Sequence, residues 1–420
     1  MRQRQLAVTY PEAIDWLYDL RLLGSKLGLD NPRQLASLAD DPQEQLQIIH
    51  VAGTNGKGSV CAMLESIYRA AGYRTGLFTS PHLVSFRERI QINREHIPEA
   101  EVVALVESMQ QRLREFPADA SPTFFEVITV MALETFTQHK CDVVLLETGL
   151  GGRLDATNIV TPVASVITPV DLDHQQYLGE TLPEIAAEKA GIIKPGVPVF
   201  SARQEPPVAE VIQQTAESLG ALYTLTLGGE TPTALLGRHQ RENASLAKLV
   251  AERTNLPVTP EAIHTGLAQV HWAARAQCHT LGSQQVVIDA AHNPASAEAL
   301  ADVLQEEFPG QRPTLLIGML ADKNWECILA TLAPLSTRVV CVPVSSERVL
   351  PPAQLAEEAK AGCEEVEHHD SLADGLVAVR EAPLVVVTGS LYLIGEVIEQ
   401  LGLMTAAGER GLNEWKLSKP

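Results

Sequence analysis

The chain has 420 residues, 45% hydrophobic and 20% charged, the balance of an ordinary globular protein of two or three domains. Its formal net charge of −20, with no long basic block, argues against nucleic-acid binding, because neutralising phosphates needs clustered Lys and Arg. The six cysteines form no C-x-x-C pair, the first residues lack an apolar signal region, and no apolar run approaches the ~20 residues of a membrane helix, so the chain reads as cytosolic with reduced thiols.

In chain order, "LQIIHVAG" (46–53) reads as a buried strand. "SVCAMLESIYRAAG" (59–72) follows as a helix: Val60, Met63, Leu64, Ile67, Tyr68 and Ala71 recur at helical spacing, and Gly72 ends it. "CDVVLLETG" (141–149) and "VASVITPV" (163–170) are two more strands. "TLPEIAAEKAGIIKPG" (181–196) predicts a helix opened by Thr181 and Pro183 and closed near Gly191, followed by the strand "VPVFSA". A second series begins near residue 285 with "QVVIDAAHNP", "PTLLIGML", "RVVCVPV" and "PLVVVTGS". This alternation predicts an α/β fold with mainly parallel sheets covered on both faces. The boundary falls in "AQCHTLGSQQ", giving domains 1–278 and 279–403 and a loose tail at 404–420.

Between the first strand and the first helix lies "GTNGKGS", in the place of a phosphate-binding loop but without the spelling G-x-x-x-x-G-K-[ST]. Lys57 is followed by Gly58, and the hydroxyl arrives one residue later, at Ser59. The physics of the position still suits phosphate: a helix N-terminus offers unpaired N–H groups and a partial positive charge. Thr54, Asn55, Gly56, Lys57, Gly58 and Ser59 are the candidate nucleotide-binding residues, with Lys57 reaching the terminal phosphates and Ser59 a magnesium ion or a phosphate oxygen. A glycine-rich turn opening a structural helix is the competing reading. Glu147 ends the apolar run "DVVLLE" at a strand's carboxyl edge, where open α/β sheets bind ligands. A carboxylate there suits magnesium, or caps a neighbouring helix. "TPVDLDHQQ" places His174 beside Asp171 and Asp173 at a similar edge.

The motifs "GTNGKGS", "FTSPHLVSFRERI", "TFFEVIT", "LLETGLGGRLDATN", "DLDHQQYLGETLPEIAAEKAGIIKPG", "GRHQRENA", "DAAHNP" and "GMLADK", in that order, resemble the folylpolyglutamate synthase/dihydrofolate synthase family of the Mur-ligase superfamily. The resemblance runs from about residue 10 to about residue 400. It implies an N-terminal P-loop-like ATPase domain and a C-terminal Rossmann-like domain with ATP between them. The implied reaction joins L-glutamate to dihydropteroate, to a folylpolyglutamate γ-carboxylate, or to both, forming ADP through an acyl phosphate. The implied partners are small molecules, with no nucleic acid and no membrane, and the implied state is a monomer.

Residue by residue, the resemblance implies magnesium ligands at Ser80, Glu147 and His174, for two ions. It implies a catalytic role for Lys57, His174 and Lys189, the last as a carbamylated lysine; by pattern alone Lys189 is a helix-face lysine in a salt bridge. Carbamylation needs a depressed pKa or strong metal stabilisation, since at about 10.4 almost no lysine is neutral at pH 7. Asn243, Arg275, Asp289 and His292 match nucleotide-binding positions, and Thr123, Phe124, Phe125, Glu126, Leu154, Asp155 and Ala156 match the folate or pteroate segments. The two phenylalanines suit stacking on a pterin or a place in the core equally well. Where the family has P-G-R-[FL], this chain has Ala273-Ala274-Arg275-Ala276, which predicts a different backbone around Arg275; Asn324 stands where aspartate is usual. The alternatives are a Mur-type cell-wall ligase and a non-catalytic nucleotide-binding paralogue.

Overall fold

The computed structural model describes residues 9–21, 28–117, 120–226, 228–404 and 409. The expected tail therefore lies outside the described residues except for Met404 and Glu409. Glu409 is buried, and its Oε1 accepts from the Tyr10 hydroxyl at 2.7 Å.

The first part of the chain contributes β1 (Ile48–Ala52), β2 (Thr75–Phe78), β3 (Ile90–Ile92), β4 (Glu95–His96), β5 (Val143–Glu147), β6 (Ala164–Ile167), β7 (Val199–Ser201) and β8 (Tyr223–Leu225). They form one sheet in the order β4-β3-β2-β5-β1-β6-β7-β8. From β2 to β8 all neighbours are parallel, while β3 and β4 add an antiparallel edge. Successive side chains of a strand point to opposite faces, so the continuous apolar runs that mark β1 and β5 fill two cores at once. Ile48, Val144 and Leu146 pack under the helices Tyr10–Leu20, Glu99–Arg112 and Phe124–Gln138. Ile49, Val51, Val143 and Leu145 pack under Lys57–Ala70, Arg238–Arg253 and Pro260–Gln269.

The register sets the site. Val51 pairs with Glu147 on one side and Val166 on the other. The loops after β1, β5 and β6 therefore leave the sheet side by side, although β1 ends at Ala52 and the other two at Glu147 and Ile167.

The second sheet contains β9 (Gln277–Leu281), β10 (Gln284–Ile288), β11 (Thr314–Ile317), β12 (Arg338–Cys341), β13 (Glu365–His368) and β14 (Leu384–Thr388) in the order β13-β12-β11-β14-β10-β9. Only β9 is antiparallel. Residues 276–285, read from sequence as the boundary, are for the most part the hairpin β9–β10, so the second sheet begins at Gln277 and not after 278. Among the described residues the polar edge strands β9 and β13 are half-buried to exposed and lack the apolar run by which central strands are read. Among the described residues, no helix is long and apolar enough to cross a membrane.

Candidate active site

The loop after β1 is pressed against its neighbours. Gly53 has φ 152°, and a Cβ there would stand 1.8 Å from Thr168 Oγ1 of the adjacent strand edge. Gly56 has φ 85°, and a Cβ there would stand 2.8 Å from Asn243 Oδ1. Both conformation and space thus demand glycine. Thr54 N donates to Pro169 O at 2.9 Å, tying the loop to β6. The helix Lys57–Ala70 then starts two residues before the sequence expectation, with Gly56 as its N-cap. Ser59 Oγ is buried at that N-terminus without a hydrogen-bond partner among the described residues.

Lys57 folds over the loop, donating from Nζ to Gly53 O and Thr54 O, each at 3.1 Å. Lys189, at the end of the helix Leu182–Ala190, donates from Nζ to the same Gly53 O at 2.7 Å. Burial pushes the Lys189 ammonium down to about 7, and the Lys57 charge adds to that. Glu147, at the carboxyl end of β5, is buried, and its Oε2 accepts from Ser80 N at 3.1 Å. Burial raises its pKa against the pull of Lys57.

His174 caps the short helix Gln175–Leu178 in a left-handed conformation, φ 52°, with its side chain partly open to the cavity. Burial pushes its pKa down to about 4 although Asp173 favours the charged form. Burial also opposes ionisation of Asp173, yet His174, Lys323 and His292 hold its carboxyl well below the usual range. Lys323 reaches Asp173 from the second sheet, Nζ to Oδ1 at 3.0 Å. This lysine, in "GMLADK", is not among the residues expected from the sequence; its place after β11, at the carboxyl edge of the second sheet, is the available signal.

From the same edge, Asp289 Oδ2 accepts from Ala276 N at 2.7 Å and Oδ1 from Ala291 N at 2.8 Å. The His292 ring lies 2.8 Å from Ala290 O through Nδ1. Arg275 faces the cavity between them. Around it, Ala274 (φ 56°) and Ala276 (φ 46°) hold the left-handed conformation that glycine adopts more readily, at a cost of about 1 kcal/mol each.

One cavity of about 1080 Å³ joins these groups: it is lined by the whole loop 53–59, Ser80, Glu147, His174, Lys189, Asn243, Arg275, Asp289 and His292. Thr123, Phe124 and Phe125 line it too. Both phenylalanines also pack in the core, Phe125 against Phe78 at 5.9 Å and Phe124 against Phe86 at 6.5 Å. Arg89, which sequence reasoning did not single out, stands 5.4 Å over the Phe124 ring.

Four expected acceptor-binding residues do not reach the wall. Glu126 turns back to accept from Thr123 N at 2.6 Å in a capping box, the local use that a glutamate three residues after a threonine favours. Leu154, Asp155 and Ala156 lie behind the loop 149–151, and the Asp155 carboxylate accepts four hydrogen bonds from within the protein.

Among the described residues no three His, Cys, Asp or Glu side chains converge. The candidate set of one carboxylate (Glu147), one imidazole (His174) and the hydroxyls of Ser80 and Ser59 fits magnesium held largely by water and substrate phosphates, rather than by a protein cage.

Two largely parallel α/β sheets that share one cavity with a glycine-rich loop, the lysines Lys57 and Lys189 and a carboxyl-edge glutamate point to an ATP-dependent ligase of the Mur type. Residues 51–218 match the Mur ligase middle domain and residues 274–391 the Mur ligase, glutamate ligase domain. The chain is 33% identical over 432 residues to the dihydrofolate synthase/folylpolyglutamate synthase of Bacillus subtilis, covering 93% of this chain and 99% of that one. It is 36% identical over 419 residues to a probable bifunctional folylpolyglutamate synthase/dihydropteroate synthase of Halobacterium salinarum, of which it spans only 51%. The solved structure of Escherichia coli FolC in complex with DHPP and ADP superposes with a TM-score of 0.85 at 32% identity, covering 96% of this chain and 99% of that one. The chain belongs to the folylpolyglutamate synthase/dihydrofolate synthase family.

Proposed function

We propose that the protein joins L-glutamate to the carboxylate of dihydropteroate or of a reduced folate, with ATP going to ADP and phosphate. The observation that carries the reading is the one cavity lined both by the glycine-rich loop, Glu147 and Lys189 and by Phe124 and Phe125. A carboxylate is a poor acylating agent; transfer of the γ-phosphoryl group to it creates a phosphate leaving group, and the amine of glutamate then attacks. The protein's part is positioning and charge neutralisation. Loop amides and Lys57 hold the β- and γ-phosphates. Asn243, Arg275, Asp289 and His292 hold the remainder of the nucleotide from both sheets. Ser80, Glu147 and His174 would hold magnesium, which when bound would offset charge on the transferring group.

Lys189 completes this set as a carbamate. Its neutral amine adds to CO2 and releases one proton, turning a buried cation into an anion beside Lys57. A pKa near 7 makes the neutral amine abundant where an ordinary lysine's is scarce.

The test is ADP release with Mg-ATP and L-glutamate, comparing dihydropteroate with tetrahydrofolate. Release with both acceptors means a bifunctional enzyme, and release with tetrahydrofolate alone means a tail extender. No release with either overturns the reading in favour of a Mur-type or non-catalytic one.

A further inference from the structure

β1 carries one polar side chain, His50, fully buried in the middle of the first sheet. On its strand face it stands between Ile48 and Ala52, where packing alone asks for another aliphatic residue. The His50 Nε2 lies 2.8 Å from Thr157 Oγ1. That hydroxyl in turn makes a short hydrogen bond to Asp155 Oδ1, which also accepts from Thr157 N at 3.0 Å. Asp155 Oδ2 accepts from Gly149 N at 3.0 Å and Leu150 N at 2.8 Å.

Burial raises the Asp155 pKa, but three N–H donors on its two oxygens oppose that and favour the carboxylate, which can only accept. The Thr157 proton therefore points to Asp155, and the imidazole must donate from Nε2. Burial, with a smaller contribution from the Lys194 charge, pushes the imidazole down to about 3, so it stays a neutral single donor. The end of the chain is the cavity wall. Gly149 and Leu150 follow Glu147 by two and three residues, and a Cβ on Gly149 would stand 2.5 Å from the Phe125 ring. The loop has no room to drift without moving either Phe125 or the turn after Glu147.

We infer that His50 is a positioning residue for the acceptor-carboxylate side of the site: through Thr157 it fixes the Asp155 carboxylate, and Asp155 fixes the amides of Gly149 and Leu150 against Phe125. The inference rests on the proposed ligase reading for its kinetic consequence, but not for its structural one. A histidine serves where a leucine would pack because the relay needs a buried, directional N–H to hold the Thr157 rotor.

The experiment compares His50→Leu and Thr157→Val, which break the relay, with His50→Gln and Thr157→Ser, which retain a donor and a hydroxyl. Two readouts are taken: amide exchange of the segment holding Gly149 and Leu150, and KM for acceptor against KM for ATP. Breaking the relay speeds exchange about tenfold and raises acceptor KM by a similar factor, with ATP KM within about twofold. His50→Gln and Thr157→Ser restore both, and the double variant His50→Leu/Thr157→Val is no worse than the worse single one. Unchanged exchange in folded Thr157→Val, an equal rise in both KM values, or a His50→Gln enzyme indistinguishable from His50→Leu overturns the inference. Should His50→Leu fail to fold, the Thr157 pair and His50→Gln carry the test. Exchange is read without turnover, so a wild type silent with every acceptor refutes the ligase reading while the relay still stands or falls on exchange.

Discussion

At Lys189 the fold has placed a cation where charge is disfavoured: 4% exposed, hydrogen-bonded to Gly53 O and facing Lys57. Its folded pKa of about 7 lies below the ordinary 10.5. Between those values the unfolded chain holds a proton that the folded chain has lost, so stability rises with pH through that window. The destabilisation is complete below pH 7 and fades toward 10.5. Lys189→Met should therefore raise the unfolding free energy most near pH ~6.5, by about 1–3 kcal/mol, and progressively less toward pH ~10. The measurement is thermal unfolding in CO2-depleted buffer across that range, with loss of ligase activity alongside. A variant less stable than wild type at the acid end contradicts the account. Glu147 poses the complementary case, a buried carboxyl whose pKa burial raises while Lys57 pulls it back. Glu147→Gln keeps the shape and the Ser80 N–H bond but removes the charge, and kcat should fall by ~10³ or more in a magnesium titration that no longer saturates at wild-type concentrations.

Two elements reach the site through their ends. The helix Phe124–Gln138 opens with a capping box in which Thr123 and Glu126 satisfy each other's N–H groups. Thr123→Ala should cost about 1 kcal/mol and loosen the first turn, which carries Phe124 and Phe125. Acceptor KM should then rise severalfold while ATP KM holds; equal changes in both would contradict a local effect. The loop after β1 has less slack. Gly53→Ala would drive a methyl into Thr168, whose backbone carbon also stands 3.1 Å away. A cost of about 2 kcal/mol and loss of nucleotide binding are expected, read by calorimetric titration with ADP.

At the scale of the whole molecule, the cavity lies between two sheets whose halves meet through apolar contacts, such as Val84 in the core of the second sheet, and through polar ones at the cavity. Lys323 pairs with Asp173 at 3.0 Å, and Asn293 Nδ2 donates to Asn55 Oδ1 at 3.1 Å. Lys323 and Asp173 are each 14% exposed, so solvent screens the pair only in part. Lys323→Met leaves Asp173 without its partner across the cleft. ATP KM should rise about tenfold at low ionic strength, and its salt dependence should flatten. An unaltered salt profile would show that the pair does not help to hold the sheets together over ATP.

Much of this was legible in the sequence, and the reason is periodicity plus local chemistry. The apolar runs of β1, β5, β10, β11 and β14 mark central strands because both faces of those strands are buried. "GTNGKGS" announces a phosphate loop because its glycines are forced by φ and by contact, and Thr181 announces its helix by capping it. Edge strands such as β9 and β13 were not legible, since half of each faces solvent. Nor was the division of labour among carboxylates. Glu126 and Asp155 look like ligands in the chain, yet one caps a helix and the other anchors a loop. The lysine that meets Asp173 comes from 150 residues away. These were decided by the order of strands in the sheets, which brings the ends of β1, β5 and β6 together and sets the second sheet opposite them. A side chain's role depends on the partners that such packing supplies, and local sequence carries no record of them.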